Sequence, residues 1–154
     1  MALSKKKSYV HAPGLKPFIG LTMHEMLEER VVDLAAGFLF KLGLRRGDRI
    51  AVIGANHVEW PLITGAARAI GVGVEANLLF GHNPQTFKKI LSHVCIVCKA
   101  LFIIRSPDTL YQMVCEMIPE LSESIPDDLN SKQFPDLKKV IAVGPNCKML
   151  SGIK

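Results

Sequence analysis

Hydrophobic and polar positions follow two alternating rhythms along this chain. Leu27, Val31, Leu34, Phe38 and Leu42 recur at intervals of four, three, four and four, the apolar stripe of an amphipathic helix, with Glu25, Glu28, Glu29 and Lys41 elsewhere on the cylinder. Thr22 with Glu25 forms a capping box that opens it, and Gly43 closes it. Arg45-Arg46-Gly47-Asp48 is then a charged turn whose glycine is free to take a positive φ. Arg49-Ile50-Ala51-Val52-Ile53, ending at Gly54, is a short, largely β-branched run of the kind written for a strand buried on both faces. Asn56 and Glu59 predict a second capping box, opening a helix that buries Trp60, Ile63, Ala67 and Ile70. Pro61 is tolerable only near the first turn, so that start is free to shift by a residue or two. Gly71 ends the helix.

The alternation continues. Val72 to Asn77 predicts a second, weaker strand; Asn83-Pro84 predicts a helix start, with Phe87, Ile90, Leu91 and Val94 on its apolar face. Ala100 to Ile104 is another buried strand. Ser106-Pro107-Asp108 caps a helix bearing Leu110, Met113, Val114, Met117 and Ile118, an apolar face read as core packing rather than a ligand groove, and Pro119 stops it. From Glu120 to Asp136 the chain is polar, with Pro126 and Pro135, and reads as an unusually long loop. Lys139 to Val143 is a last strand, closed by Gly144-Pro145, after which the chain runs to Lys154 without a further helix or cap, as if stopping in mid-domain. Helices and buried strands in this order predict an α/β, Rossmann-like layered domain with a mostly parallel sheet flanked by helices. A layer cut after its first strands leaves sheet edges and a helix face that more chain would cover.

Composition changes this picture in two places. The 154 residues make one domain's worth, and their 49% hydrophobic content with mean hydropathy +0.24 leaves surface that expects a partner. The net charge of +5 could suggest nucleic acid, but Lys5, Lys6, Lys7 and Lys16 supply most of it within residues 1–20, a stretch without acids that reads as a basic irregular tail. That tail is either a plain solvated segment or a mitochondrial import signal, although one without arginine. No uncharged apolar run approaches a membrane span, because Arg68, Glu75 and Lys88 interrupt the most hydrophobic part; a soluble or peripheral protein is expected.

Candidate chemistry is thin. Cys95 and Cys98 form a CxxC next to His93, but zinc wants about four ligands at fixed spacing, and the residues between the cysteines are Ile96 and Val97. They read as small apolar cysteines at the entry to a buried strand. Gly71 and Gly73 follow a helix and open a strand, the reverse of a dinucleotide-binding loop, and read as sites of close backbone packing. His57, beside Glu59 and Trp60, is expected to be solvated at a helix start. Asp48 among Arg45, Arg46 and Arg49 is expected to be a surface turn with ion pairs rather than a phosphate clamp. Ser92 and His93 face apart on a helix and make no nucleophile pair. No catalytic, cofactor-binding or metal-binding residue is assigned.

Several motifs together carry a family resemblance. Leu21-Thr22-x-x-Glu25-Met26, Leu34-Ala35-Ala36-Gly37, Leu42-Gly43-Leu44-x-x-Gly47-Asp48-Arg49-Ile50-Ala51, Asn56-x-x-Glu59-Trp60, Ala69-x-Gly71 and Asn77 resemble the N-terminal part of the AMP-forming acyl-CoA synthetases, the adenylate-forming ligases. Cys98-Lys99-Ala100-Leu101-Phe102, Leu110-Tyr111, Ile118-Pro119-Glu120 and Leu137-x-x-Val140-Ile141 resemble a mitochondrial, medium-chain branch of that family. The resemblance implies that residues 21–154 are a truncated N-terminal part of the ligase's large domain. It implies a parent enzyme that uses ATP, Mg²⁺ and CoA to convert a fatty acid through an acyl-adenylate to acyl-CoA, in mitochondria, with the cytoplasm as the alternative. The family's Ser/Thr/Gly-rich phosphate loop ending in Pro-Lys-Gly and its later lysine have no counterpart in these residues, so the chain alone is expected to be inactive. A non-catalytic interaction module, docking on the missing part or on the parent enzyme, is the alternative, as is an unstable truncated product. Asn77 is followed by Leu78 where the family has proline. Ser8-Tyr9-Val10 resembles a segment that in the family lies well upstream, which makes Val31-Val32 a candidate join where a strand pair has been omitted.

Overall fold

The computed structural model describes residues 30–54, 57–77, 83–104, 108–122 and 129–143. The tail, the Thr22–Glu25 box, Asn56, Ser106-Pro107 and everything after Val143 lie outside them. The elements are α1 (Val32–Phe40), β1 (Arg49–Gly54), α2 (Glu59–Ala69), β2 (Gly73–Asn77), α3 (Pro84–Cys95), β3 (Ala100–Ile104), α4 (Asp108–Met117), a 3₁₀ turn (Pro119–Ser122) and β4 (Lys139–Val143). The four strands form one sheet in the order β2-β1-β3-β4, every neighbouring pair parallel. Parallel pairing forces each connection to cross a face of the sheet, and the helices lie on both faces. The strand order reverses between β1 and β3, as in doubly wound sheets.

Two cores result. On one face α1 and α2 pack through Val31, Ala35, Phe38, Leu62, Ile63 and Ala66 onto Ile50, Val52, Ala100, Phe102 and Ile104. The Phe38 and Phe102 rings meet with centroids 5.3 Å apart. On the other, α3 and α4 bring Phe87, Leu91, Cys95, Leu110 and Val114 onto Ala51, Ile53, Leu101, Ile103 and Val140. Alternation of side chains across β1 and β3 therefore feeds both layers, which is why both strands read as continuous apolar runs.

Local signals account for most boundaries. Asn83 accepts from the Gln85 backbone N–H at 2.9 Å, with Pro84 at the first helical position. Gly43 and Gly47 take φ of 66° and 91° in the turn between α1 and β1. Gly71 adopts φ 75°, and a Cβ there would lie 2.8 Å from Arg46 Cγ, a side-chain neighbour rather than the close backbone expected of it; at Gly73 the nearest atom would be an ordinary 3.4 Å away. Arg30 and Val31, at the candidate join, form a wider π-type turn ahead of α1.

Two expectations are corrected. The helix start does not match the expected box, which needs Asn56 as N-cap: α2 begins at Glu59, Val58 is its N-cap, and no side chain among the described residues caps it. Pro61 then sits at the third helical position, where a missing N–H still costs nothing. The long loop is not a solvated excursion. Beyond the 3₁₀ turn, Leu129, Phe134 and Leu137 are fully buried in the second core and Ser131 is buried with them. The segment is tied down by hydrogen bonds from Ser131 Oγ and Lys132 N to Glu120 Oε1 at 3.3 and 3.2 Å, and from Lys138 N to Lys99 O at 2.8 Å. Backbone N–H donors, first at Glu120 itself, hold that carboxyl below its usual range.

Candidate functional site

Among the described residues, α1 and α2 cover one face of the sheet only in part. The two helices lie over β1 and β3, while Ile141 and Val143 of edge strand β4 stay half-buried. An apolar groove of about 640 Å³ runs there, floored by Phe102, Ile141 and Val143 and walled by α1 from Asp33 onward, by Lys41 and Leu42 just past its end, and by Glu59, Leu62 and Ile63 of α2. Its charged groups are Asp33, Glu59 and Lys41. Two carboxylates to one ammonium make a poor cradle for a nucleotide triphosphate, and the apolar walls suit hydrocarbon or protein instead.

His57 and Glu59 lie just past the carboxyl end of β1, on the side of a doubly wound sheet where ligands gather. His57 Nδ1 pairs with Glu59 Oε2, and their side chains are only 11% and 22% exposed. This corrects the solvated histidine expected from sequence. Val58, between the pair in sequence, is buried in the first core, so this entry to α2 lies against the core rather than in water. Trp60 is half-buried and packs on the same core, which Leu62 and Ala66 extend beyond the helix face expected from sequence.

The other candidates are dispersed. Asp48, at the opposite end of β1, accepts from the Arg45 backbone N–H at 2.7 Å and forms its ion pair with Lys99 Nζ at 2.9 Å rather than with a neighbouring arginine side chain. Arg45 instead caps α1 by donating to Leu39 O at 2.8 Å, and Arg49 pairs with Glu75 at 3.8 Å. Asp48 is a structural turn holding the start of β1 to the start of β3. Ser92 Oγ donates to Lys88 O and His93 Nδ1 contacts Lys89 O, each at 2.8 Å, so each side chain is turned back onto α3.

Cys95 and Cys98 are fully buried, as read from their apolar surroundings. Burial pushes both thiols from 9.0 up to about 12, helped at Cys95 by Cys98 and at Cys98 by Glu75. Thiols that ionise later in the folded than in the unfolded chain contribute stability that is whole below about pH 9 and lost as pH rises toward 12. Iodoacetamide at mildly alkaline pH should therefore spare both in the native protein and label them after denaturation, while half-exposed Cys115 reacts in both; peptide mass mapping reads the result. Among the described residues no cluster of His, Cys, Asp and Glu could hold a metal, and no helix is long and apolar enough to cross a membrane.

This half-covered, doubly wound parallel sheet is the fold of the N-terminal domain of acyl-CoA ligases. It superposes on a benzoate CoA ligase from Burkholderia xenovorans LB400 with a TM-score of 0.55 at 21% identity, covering 84% of this chain and 22% of that one. An anthranilate CoA ligase, AuaEII, in complex with anthranoyl-AMP matches with a TM-score of 0.53 at 14% identity over 80% of this chain and 20% of that one. In sequence, the mitochondrial medium-chain acyl-CoA ligase ACSF2 of Mus musculus is 33% identical over 129 residues, which cover 81% of this chain and 20% of the relative. No protein-family model matches. The resemblance to the AMP-forming acyl-CoA synthetases drawn from the motifs therefore stands, and the mouse and human relatives are both named mitochondrial medium-chain acyl-CoA ligases. The chain spans about one fifth of the length of these curated relatives.

Proposed function

We propose that this chain is the N-terminal scaffold of an ATP-dependent, medium-chain fatty acid–CoA ligase and makes no adenylate by itself. In the whole enzyme ATP and a carboxylate would give an acyl-adenylate and pyrophosphate, and CoA would then displace AMP. ATP, Mg²⁺ and CoA would be held by parts outside these residues, and the mitochondrion would be the location, following the names of the relatives. The observation that carries the reading is the joint match, in sequence and in fold, to about a fifth of the length of such ligases.

Those matched residues build the sheet and its helices. The groups that face the groove, Asp33, Glu59 and Lys41, are not a phosphate-binding set. Catalysis of acyl transfer through an adenylate needs donors aimed at phosphate oxygens, and helices and strands packed as here supply a rigid base for such loops rather than the loops themselves.

ATP–pyrophosphate exchange tests the proposal. The purified chain, shown by circular dichroism to be folded, should give no octanoate-dependent exchange above background. Joined in frame to the remaining part of the mouse relative, it should restore exchange. Exchange by the chain alone, or a folded chimera with none, would overturn it.

A further inference from the structure

We infer that the groove along α1 is an interface between two copies of this chain, in which α1 lies antiparallel to its counterpart across a twofold axis at Gly37. The inference rests on the groove itself and not on the ligase reading above.

Gly37 is the first indication. It sits in the middle of α1, where glycine weakens a helix relative to alanine, yet a Cβ added there would meet nothing within 4 Å. Among the described residues nothing packed against it requires a glycine. Its bare surface faces the groove and would let a second backbone approach closely.

The residues around Gly37 are complementary under a twofold and not under a parallel alignment. In an isologous antiparallel pair, a residue n places before Gly37 meets the one n places after it in the other copy, and the contact occurs twice. Asp33 and Lys41 are four places before and after it, both exposed, both at the groove, and neither ion-paired with another described residue. About 12 Å apart along the axis, they would form two intermolecular pairs, Asp33 with the partner's Lys41 and Lys41 with the partner's Asp33. A parallel pairing would set carboxylate on carboxylate. Leu34 and Phe40 are three places either side, so the Phe40 ring would meet the partner's Leu34. Phe40 is 86% exposed at the rim of an apolar groove, the most exposed large hydrophobic side chain among the described residues. Knob and hole thus lie on one patch, which a self-complementary surface requires. Two short helices and their flanking rims make a small interface, so association in the micromolar range is expected.

Sedimentation equilibrium of the full 154-residue chain tests this. It should show a monomer–dimer equilibrium, and Phe40→Glu should weaken association at least about tenfold by placing a charge in the partner's groove. Asp33→Lys and Lys41→Asp should each weaken it through like charges facing across the axis, while the double exchange Asp33→Lys with Lys41→Asp should restore it, because the pairs re-form with signs reversed. All three positions are exposed, so the variants should fold, which circular dichroism checks. A chain that stays monomeric through the micromolar range overturns the proposal. So does a dimer indifferent to Phe40→Glu, a double exchange that fails to rescue, or octanoate filling the groove of a chain that does not self-associate.

Discussion

Gly54→Ala should destabilise the chain by about 4 kcal/mol or more, enough to leave most of a marginally stable domain unfolded. Gly54 ends the central strand at φ 138°, and a Cβ there would lie 2.0 Å from the Ile104 carbonyl oxygen and 2.8 Å from the Ile104 carbonyl carbon and amide nitrogen. Those atoms belong to the neighbouring strand, in register with Gly54, and cannot move without breaking the β1–β3 ladder. Gly43→Ala separates the two contributions. Gly43 also has a positive φ, 66°, but nothing within 4 Å, so alanine there meets backbone strain alone and should cost about 1 kcal/mol. Urea midpoints at unchanged slope measure both. Equal losses at the two positions would refute the clash at Ile104.

Phe134→Ala should cost about 3–5 kcal/mol, as for a phenylalanine removed from a close-packed core. Phe134 is fully buried although no regular element holds it. Its backbone N–H donates to Ser131 Oγ at 3.3 Å, and its carbonyl accepts from Leu137 N at 3.1 Å, so the ring is fixed from both sides. Phe40→Ala is the control. It removes the same side chain from an 86% exposed site and should leave monomer stability within about 0.5 kcal/mol. If both substitutions behaved alike, the 129–138 segment would not be part of the core.

The contrast between these two phenylalanines shows what the pattern of residues conveys. Phe38 was placed on the buried stripe of α1 by spacing alone, and it is buried; Phe40 falls off that stripe and is exposed. Periodicity works here because a helix or strand repeats its geometry over a few residues, so burial alternates with a known step. The same logic located β1, β3 and the apolar faces of α3 and α4, and the Asn83-Pro84 start of α3, whose capping partner is two residues away. Leu129 and Phe134, with Leu137 just beyond them, have no regular spacing, and the first two fall within the loop expected from Glu120 to Asp136. Their burial depends on Glu120 and Lys99, distant in sequence and adjacent only once the sheet has formed.

The candidate site divides along the same line. The inert setting of Cys95 and Cys98 was legible, because their neighbours Ile96 and Val97 and the following strand are apolar. The Asp48–Lys99 pair was not, since its partners are separated by 51 positions and three arginines stand closer in sequence. Nor was the burial of His57 with Glu59, which depends on how the start of α2 packs on the first core.

By itself, then, the order of residues determined the alternation of helices and strands, the two-sided burial of the central strands and the kinship with acyl-CoA ligases, all of which are properties of short windows or local motifs. Only the tertiary structure decided the strand order, the Lys99 partner of Asp48, the burial of His57, the packing of the 129–138 segment and the groove beside α1. These depend on contacts between residues far apart along the chain, and such contacts come into existence only when parallel strands, joined by crossings over both faces, bring them together.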